Sequence, residues 1–429
     1  GALQRIYNCE DKTLTLPKVA AAEAAKANTY WKDKYEYTWQ LVAGETKIDV
    51  AEGDALSDKQ GIWNLVCTAT KKADGSSKEV YSQPYQVTDL GATTVNGETI
   101  TTPKGDVMIK NADGSDVFFD SRAILSDAIA SLRAANISCD LSTESEFYLF
   151  KTDSEGFPTK NTHDNAGYFD VAPLDKGENV RREICLTLEE MGIRPLSSRH
   201  ERGPGQNEIN FAATHALEAC DNYTVFQSVV KAIASRNGLF ASFMPKPIEN
   251  HSGNGLALDL SLTENKLPLL GDELSPKAEN FIAGIVNRAI DTELFFNSIP
   301  NSYERMGEFG APSIAEFGFK RGQFVRIAPK YGKKYVEFLS PDNACNLYLV
   351  VALILKAGLK GIENGEKIEK SVALPKTMEE AINNAKKSSF LKEALGKEYM
   401  RVFIERKTAL CTEYAANKNA ANRSAFERI

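Results

Sequence analysis

The chain has 429 residues, 25% charged and 42% hydrophobic, with a formal net charge of -7. That is enough length for two or more domains with a large buried core, and the composition is that of an ordinary soluble globular protein. The acidic balance leaves no electrostatic footprint for nucleic acid or an anionic membrane, and no apolar run approaches the length that spans a bilayer. Seven cysteines, Cys9, Cys67, Cys139, Cys185, Cys220, Cys345 and Cys411, are scattered, odd in number and without metal-type pairing. They point to free thiols in a reducing, cytoplasmic compartment rather than to a disulfide scaffold. The chain opens Gly1-Ala2-Leu3 without methionine, as expected of a processed or truncated start, and no signal peptide is visible.

Residues 1–90 read as a β-rich domain. Tyr35 to Val42 and Gly61 to Thr70 alternate with period two, Asp74-Gly75-Ser76-Ser77 makes a turn, and two short strands, Lys78 to Tyr81 and Tyr85 to Thr88, follow. A tryptophan strand ahead of an aromatic strand with a cysteine loosely resembles an immunoglobulin-like sandwich, with some other small β-domain equally open. Between Cys9 and Trp39 an alanine-rich segment, Ala20 to Lys26, predicts a helix. Residues 91–118, rich in Thr, Gly and Asp, predict a linker with a hairpin and a turn at Ala112-Asp113-Gly114-Ser115.

From 119 to 429 the pattern changes to strands interleaved with long helices, which predicts a large α+β domain. A helix starts at Asp120-Ser121 and runs to about Ala135 with an Ile124, Leu125, Ala128, Ile129, Leu132 stripe; others cover Asn179–Gly192 and Ala216–Leu239. The segment from Thr377 is helical with gaps at Ser388-Ser389 and Gly396. Cys185 and Cys345 fall in apolar helical patterns, as small core residues.

Two stretches carry chemistry. In Ser142-Thr143-Glu144-Ser145-Glu146-Phe147-Tyr148, an extended strand points both carboxylates to one sheet face. In His200-Glu201-Arg202-Gly203-Pro204-Gly205-Gln206-Asn207-Glu208, a Gly/Pro turn lets two strand ends present Glu201 and Glu208 to one spot. Converging carboxylates repel unless hard cations sit between them, and oxygen-only ligation suits magnesium or manganese. Spacing alone is served more simply by solvated charge on strand edges.

The order of motifs overturns that simpler account. Glu144-x-Glu146, Gly167 to Asn179, His200-Glu201 with Pro204-Gly205-Gln206-Asn207-Glu208, Phe243-Met244-Pro245-Lys246-Pro247, Asn301-Ser302-Tyr303 with Arg305, and Glu337 with Pro341-Asp342 together resemble the type I glutamine synthetase catalytic domain over about residues 105–429. The resemblance implies an antiparallel sheet with flanking helices, preceded here by the small β-rich domain in place of the family's β-grasp domain. It also implies a homo-oligomeric ring, a dodecamer in the family, with the segment Ala425 to Ile429 hooking one ring to another.

The resemblance further implies ATP and Mg2+ or Mn2+ acting on a small carboxylate and an amine through an acyl phosphate. Glu146, Glu201 and Glu208 match the first metal's carboxylates; Glu144 and Glu337 match two ligands of the second. That site's histidine falls on Ala257. Arg305 matches one of two carboxylate-clamping arginines, and the other falls on Leu339, a loss worth about tenfold to a hundredfold in binding. Ser252 stands at the asparagine that meets the substrate amine, beside the retained Gly253. The flap glutamate that takes the amine's proton falls on Gly310, with Glu308 the nearest candidate. Ser261, Lys320, Arg321 and Arg326 match nucleotide contacts, with Asp259 at a base-contacting position.

The expected function is therefore a glutamine-synthetase-like ATP-dependent carboxylate–amine ligase, with glutamate plus ammonia and another carboxylate–amine pair both open as substrates. The alternative is a catalytically impaired homologue serving as an oligomeric scaffold or regulator.

Overall fold

The structure is a computed structural model that describes residues 4–7, 34–43, 46–55, 61–88, 93–95, 98–101, 108–110, 119–271, 274–307, 311–330 and 332–429. The chain divides into two compact units, Gly1–Val117 and Phe118–Ile429.

In the first unit five strands form one sheet in the spatial order Gln4–Tyr7, Ser77–Thr88, Gly61–Lys71, Tyr35–Ala43, Thr46–Val50. Leu41, Leu65, Cys67 and Ala69 are buried, and Trp39 stands opposite Cys67 in the register. The expected turn forms where Asp74 accepts from Lys71 Nζ (2.8 Å) and from the Ser76 backbone (3.0 Å), with Gly75 at φ +71°. The two short strands expected after it are one continuous strand, Ser77–Thr88. Its Tyr85–Thr88 portion also pairs with the outer strand Gln4–Tyr7. Residues 91–118 hold three paired strands, Thr93–Val95, Glu98–Thr101 and Met108–Lys110, rather than a single hairpin. The alanine-rich segment, Cys9 and the Ala112–Ser115 turn lie outside the described residues.

The second unit is built on the sixteen-residue strand Ile137–Thr152. Its sheet runs in the order Pro195–His200, Gln206–Phe211, Ile137–Thr152, Leu256–Glu264, Lys333–Phe338, Val325–Lys330, Phe317–Gly318, antiparallel except for the last pair. The register assigns alternate residues to opposite faces. Glu146 faces Glu208, Glu144 faces both Asn210 and Ala257, Asp259 faces Glu337, and Glu337 faces Arg326. The intervening residues, among them Leu141, Phe147, Leu149, Ile209, Leu258, Leu260, Val336 and Phe338, belong to the main hydrophobic core.

Helices cover the core face. Ser121–Ala134 starts where Asp120 accepts the Arg122 and Ala123 N–H groups, satisfying donors that a first turn leaves open. Leu347–Asn364 is apolar nearly all round, is capped by Asn346 and ends at Gly365, φ +59°. It crosses Pro276–Val286 at Gly361 and Gly284, where a Cβ on either would come within 2.2 Å of the other helix's backbone. The helices Glu178–Glu190 and Ala216–Arg236 agree with expectation to within a turn. Cys185 is half-buried on the former, and Cys345 is half-buried in the turn before Leu347 rather than within the helix. The C-terminal helices break at Ser388 and Gly396 as expected and again at Asn417. Phe426 packs within its own unit, 4.9 Å from the Phe150 ring, and the Phe243 N–H donates to the Ile429 carbonyl (3.1 Å). No helix among the described residues is long and apolar enough to cross a membrane.

Candidate active site

The carboxylates on the other face of the sheet open onto a cleft of about 520 Å³. Glu146, Glu201 and Glu208 each offer an oxygen, all within 4.8 Å of one another. Glu146 Oε2 accepts from the Gly255 N–H (2.7 Å), fixing its rotamer, and burial with Glu201 beside it holds its carboxyl above the usual range. Burial and Glu144 do the same to Glu208, against the pull of Arg199. Arg199 donates from Nε to Glu201 Oε1 (2.8 Å) and pairs with Glu208 Oε1, which leaves the Oε2 atoms of both. Two buried carboxylates and one half-buried one, with spare oxygens at this separation, fit one hard divalent cation.

The turn between Glu201 and Glu208 is set by buried polar groups. Gly205 (φ +70°) donates its N–H to Asp164 Oδ1 (2.9 Å), and a Cβ there would meet the Leu149 carbonyl at 2.9 Å. His200 Nε2 lies 2.9 Å from the same Asp164 oxygen. Burial works against the Asp164 carboxylate, yet His200 and the Ala166 and Lys176 N–H groups outweigh it and hold the carboxyl down to about 2. Behind the turn, Arg181 bridges Asp175 (2.5 and 3.1 Å) and Asn207 (2.5 Å). A loop tied at this many points presents its two glutamates in one geometry.

Glu144 and Glu337 lie beside this cluster, but the group between them is Lys330. Its Nζ is 2.7 Å from Glu144 Oε1, 2.8 Å from Asp259 Oδ2 and 2.6 Å from Glu337 Oε1. Burial would lower this lysine; Asp259, Glu144 and Glu337 outweigh it and keep the ammonium form. Arg326 adds a second cation, pairing with Glu337 through Nε and through Nη2 (2.8 Å). Ala257, across from Glu144, offers no ligand atom. A second divalent cation therefore does not fit these residues as they stand.

Arg305 is nearly fully buried at the cleft's edge, with Nη2 donating to Asn297 Oδ1 (3.1 Å) and to the Ser340 carbonyl (2.5 Å). Gly253 makes room for it, since a Cβ there would meet Arg305 Cγ at 2.7 Å. Leu339 adds an apolar wall to the same cleft.

The fold thus brings Glu144, Glu146, Glu201, Glu208, Glu337, Gly253, Arg305, Arg321 and Arg326 to one cleft. Three expected residues do not line it. Ser252 is buried and accepts from Tyr148 Oη through its carbonyl (2.6 Å); Ser261 lies further along its strand opposite Asp140; Lys320 is exposed, its N–H on Gln323 Oε1 (2.8 Å). Glu308 and Gly310 lie outside the described residues. Sequence reading missed Arg199 and Lys330. The signal for Lys330 was the same-face pair Arg326 and Lys330 on one strand, together with Asp259, an extra acid that must face a cation.

The glutamine synthetase catalytic-domain model matches residues 118–428. The chain is 38% identical to a glutamine synthetase of Clostridium saccharobutylicum over 328 residues, 70% of this chain and 74% of that one. It is 36% identical to a glutamine synthetase of Methanosarcina mazei over 338 residues, 73% and 75% of the two chains. Among solved structures, a GmaS–ADP complex superposes with a TM-score of 0.66 at 24% identity, covering 88% of this chain and 87% of that one. Plasmodium falciparum glutamine synthetase superposes with a TM-score of 0.67 at 18% identity, covering 97% and 100%; these two show a shared fold.

Proposed function

Since the chain belongs to the glutamine synthetase family, we propose that it is an ATP-dependent carboxylate–amine ligase with a substrate other than glutamate plus ammonia. The observation that carries this reading is the triad Glu146, Glu201 and Glu208, held ready for a divalent cation in a cleft that Arg305 and Leu339 also line.

In such a reaction a substrate carboxylate oxygen takes the γ-phosphoryl group of ATP and ADP departs. The amine nitrogen then attacks the acyl carbon, the C–N bond forms as inorganic phosphate leaves, and the amine gives up a proton. Mg2+ or Mn2+ held by Glu146, Glu201 and Glu208 would supply charge neutralisation at the phosphates. Arg305 would hold the substrate carboxylate beside Gly253. Arg321 and Arg326, which line the cleft, would meet phosphate oxygens, and Glu308 would take the amine's proton. Leu339, in place of a second clamping arginine, favours a substrate with an apolar group at that wall. A homo-oligomeric ring is part of the same proposal.

A specific observation favours the second reading, a non-catalytic scaffold or regulator. Glu144, Glu201, Glu208 and Glu337 are all ion-paired to cations of the chain itself. Titration calorimetry with ATP in excess Mg2+, then Mn2+, beside Glu146→Gln and Glu201→Gln variants, separates the two. Binding that the variants abolish supports the ligase, and carboxylate and amine pairs are then screened for phosphate release. Absence of binding to a protein that still assembles would leave the scaffold reading.

A further inference from the structure

Three strands deliver Glu144, Asp259 and Glu337 to one point on the sheet face, and the register makes them near neighbours. Three carboxylates this close need positive charge between them. The chain supplies it from a fourth strand. Lys330 Nζ sits at hydrogen-bonding distance from all three, while Arg326 takes both oxygens of Glu337. Together they carry two positive charges, the charge of one divalent cation. An ammonium nitrogen in this position fills the space in which a magnesium ion would approach the same oxygens at about 2.0–2.1 Å.

We propose that Lys330 is the built-in cation of this second site, so that the cleft takes a single exchangeable divalent metal, at Glu146, Glu201 and Glu208. The three carboxylates thus hold the chain's own lysine in place of a metal. Two features of the site agree with this assignment. Ala257 contributes no ligand opposite Glu144, and Asp259 contributes an acid that a lysine can use. A tethered ammonium also differs from a metal in consequence: a chelator cannot remove it, and its charge is delivered with the fold.

The count of one metal in the wild type rests on the ligase reading above, but the change on removing Lys330 does not. The experiment measures Mn2+ bound per full-length chain by equilibrium dialysis with elemental analysis, and by manganese electron paramagnetic resonance, for the wild type and for Lys330→Met. The expected result is that the variant gains one Mn2+ over the wild type, because Glu144, Asp259 and Glu337 lose their internal cation. No gain in a folded variant, or a wild type that already binds two, would overturn the proposal. A wild type that binds none while the variant binds one would sink the ligase reading and leave this inference standing. Should Lys330→Met not fold, Glu144→Gln decides. Its Mn2+ count should equal that of the wild type, because Glu144 holds a lysine; loss of one equivalent would place a metal there and overturn the proposal.

Discussion

Ala257 and Glu144 are direct cross-strand partners, so whatever side chain stands at 257 reaches the carboxylate that Lys330 now occupies. A histidine there would add a nitrogen ligand to an all-oxygen set. The double variant Ala257→His, Lys330→Met should bind Mn2+ about tenfold tighter than Lys330→Met alone, read by titration calorimetry at neutral pH. Equal affinity would mean that position 257 does not reach the site in solution.

Leu339 shares the cleft with Arg305, whose Nη2 is already committed to Asn297 and to backbone carbonyls. Leu339→Arg should place a second guanidinium beside a bound carboxylate, worth about 1.5–3 kcal/mol, and tighten glutamate by about tenfold to a hundredfold. Calorimetric titration of glutamate in the presence of a non-hydrolysable ATP analogue reads this directly. An unchanged affinity would separate Leu339 from the carboxylate subsite.

Arg181 and Asp175 are both almost wholly buried, and Arg181 also anchors Asn207, next to Glu208. Arg181→Met leaves a buried carboxylate without its partner, a loss of about 3–5 kcal/mol. Urea unfolding should show it as a lowered midpoint, and Mn2+ affinity should fall in the same variant because the Glu201–Glu208 turn loses its anchor. A midpoint shift with unchanged Mn2+ affinity would mean that the turn is held by Asp164 and His200 alone.

The sheet face was legible where the chemistry sits on one strand. Glu144 and Glu146 two apart in an aromatic run can only share a face, and the Gly203–Gly205 turn brings Glu201 and Glu208 to neighbouring positions. Helix starts were legible for the same local reason, as at Asp120. Lys330 was not legible in this way. Its place depends on the Lys330–Lys333 hairpin register and on two further strands meeting it, a product of tertiary pairing that no short window contains. Arg199 was hidden similarly, since its neighbours Glu201 and Glu208 read as metal ligands. In the first unit, alternation gave the strands but not their continuity: the two short strands expected after the turn pair with Gly61–Lys71 as one, Ser77–Thr88.

Arg288 holds Glu366 through two hydrogen bonds (2.7 and 2.8 Å), and this pairing, against a smaller opposing effect of burial, brings the carboxyl from its ordinary 4.5 down to about 2. A carboxyl lowered by folding stabilises the native state above its ordinary value, and that contribution disappears as pH falls through the lowered one. Glu366→Gln should therefore be less stable than wild type by about 1 kcal/mol at neutral pH, with the gap closing between about pH 5 and pH 2. Urea midpoints measured across that range test it, and a gap that persists at pH 2 would show that the amide substitution acts by packing rather than charge.

The pleat sorts this sequence into two interleaved texts. Leu258, Leu260, Val336 and Phe338 spell the support, while Ala257, Asp259, Glu337 and Leu339 spell the chemistry, letter by alternate letter. A substitution in the second text does not touch the packing side chains of the first. Such a sheet can exchange one cation for another, or one substrate for another, by changes that keep its buried charges balanced, which makes its reactivity easier to rewrite than its shape.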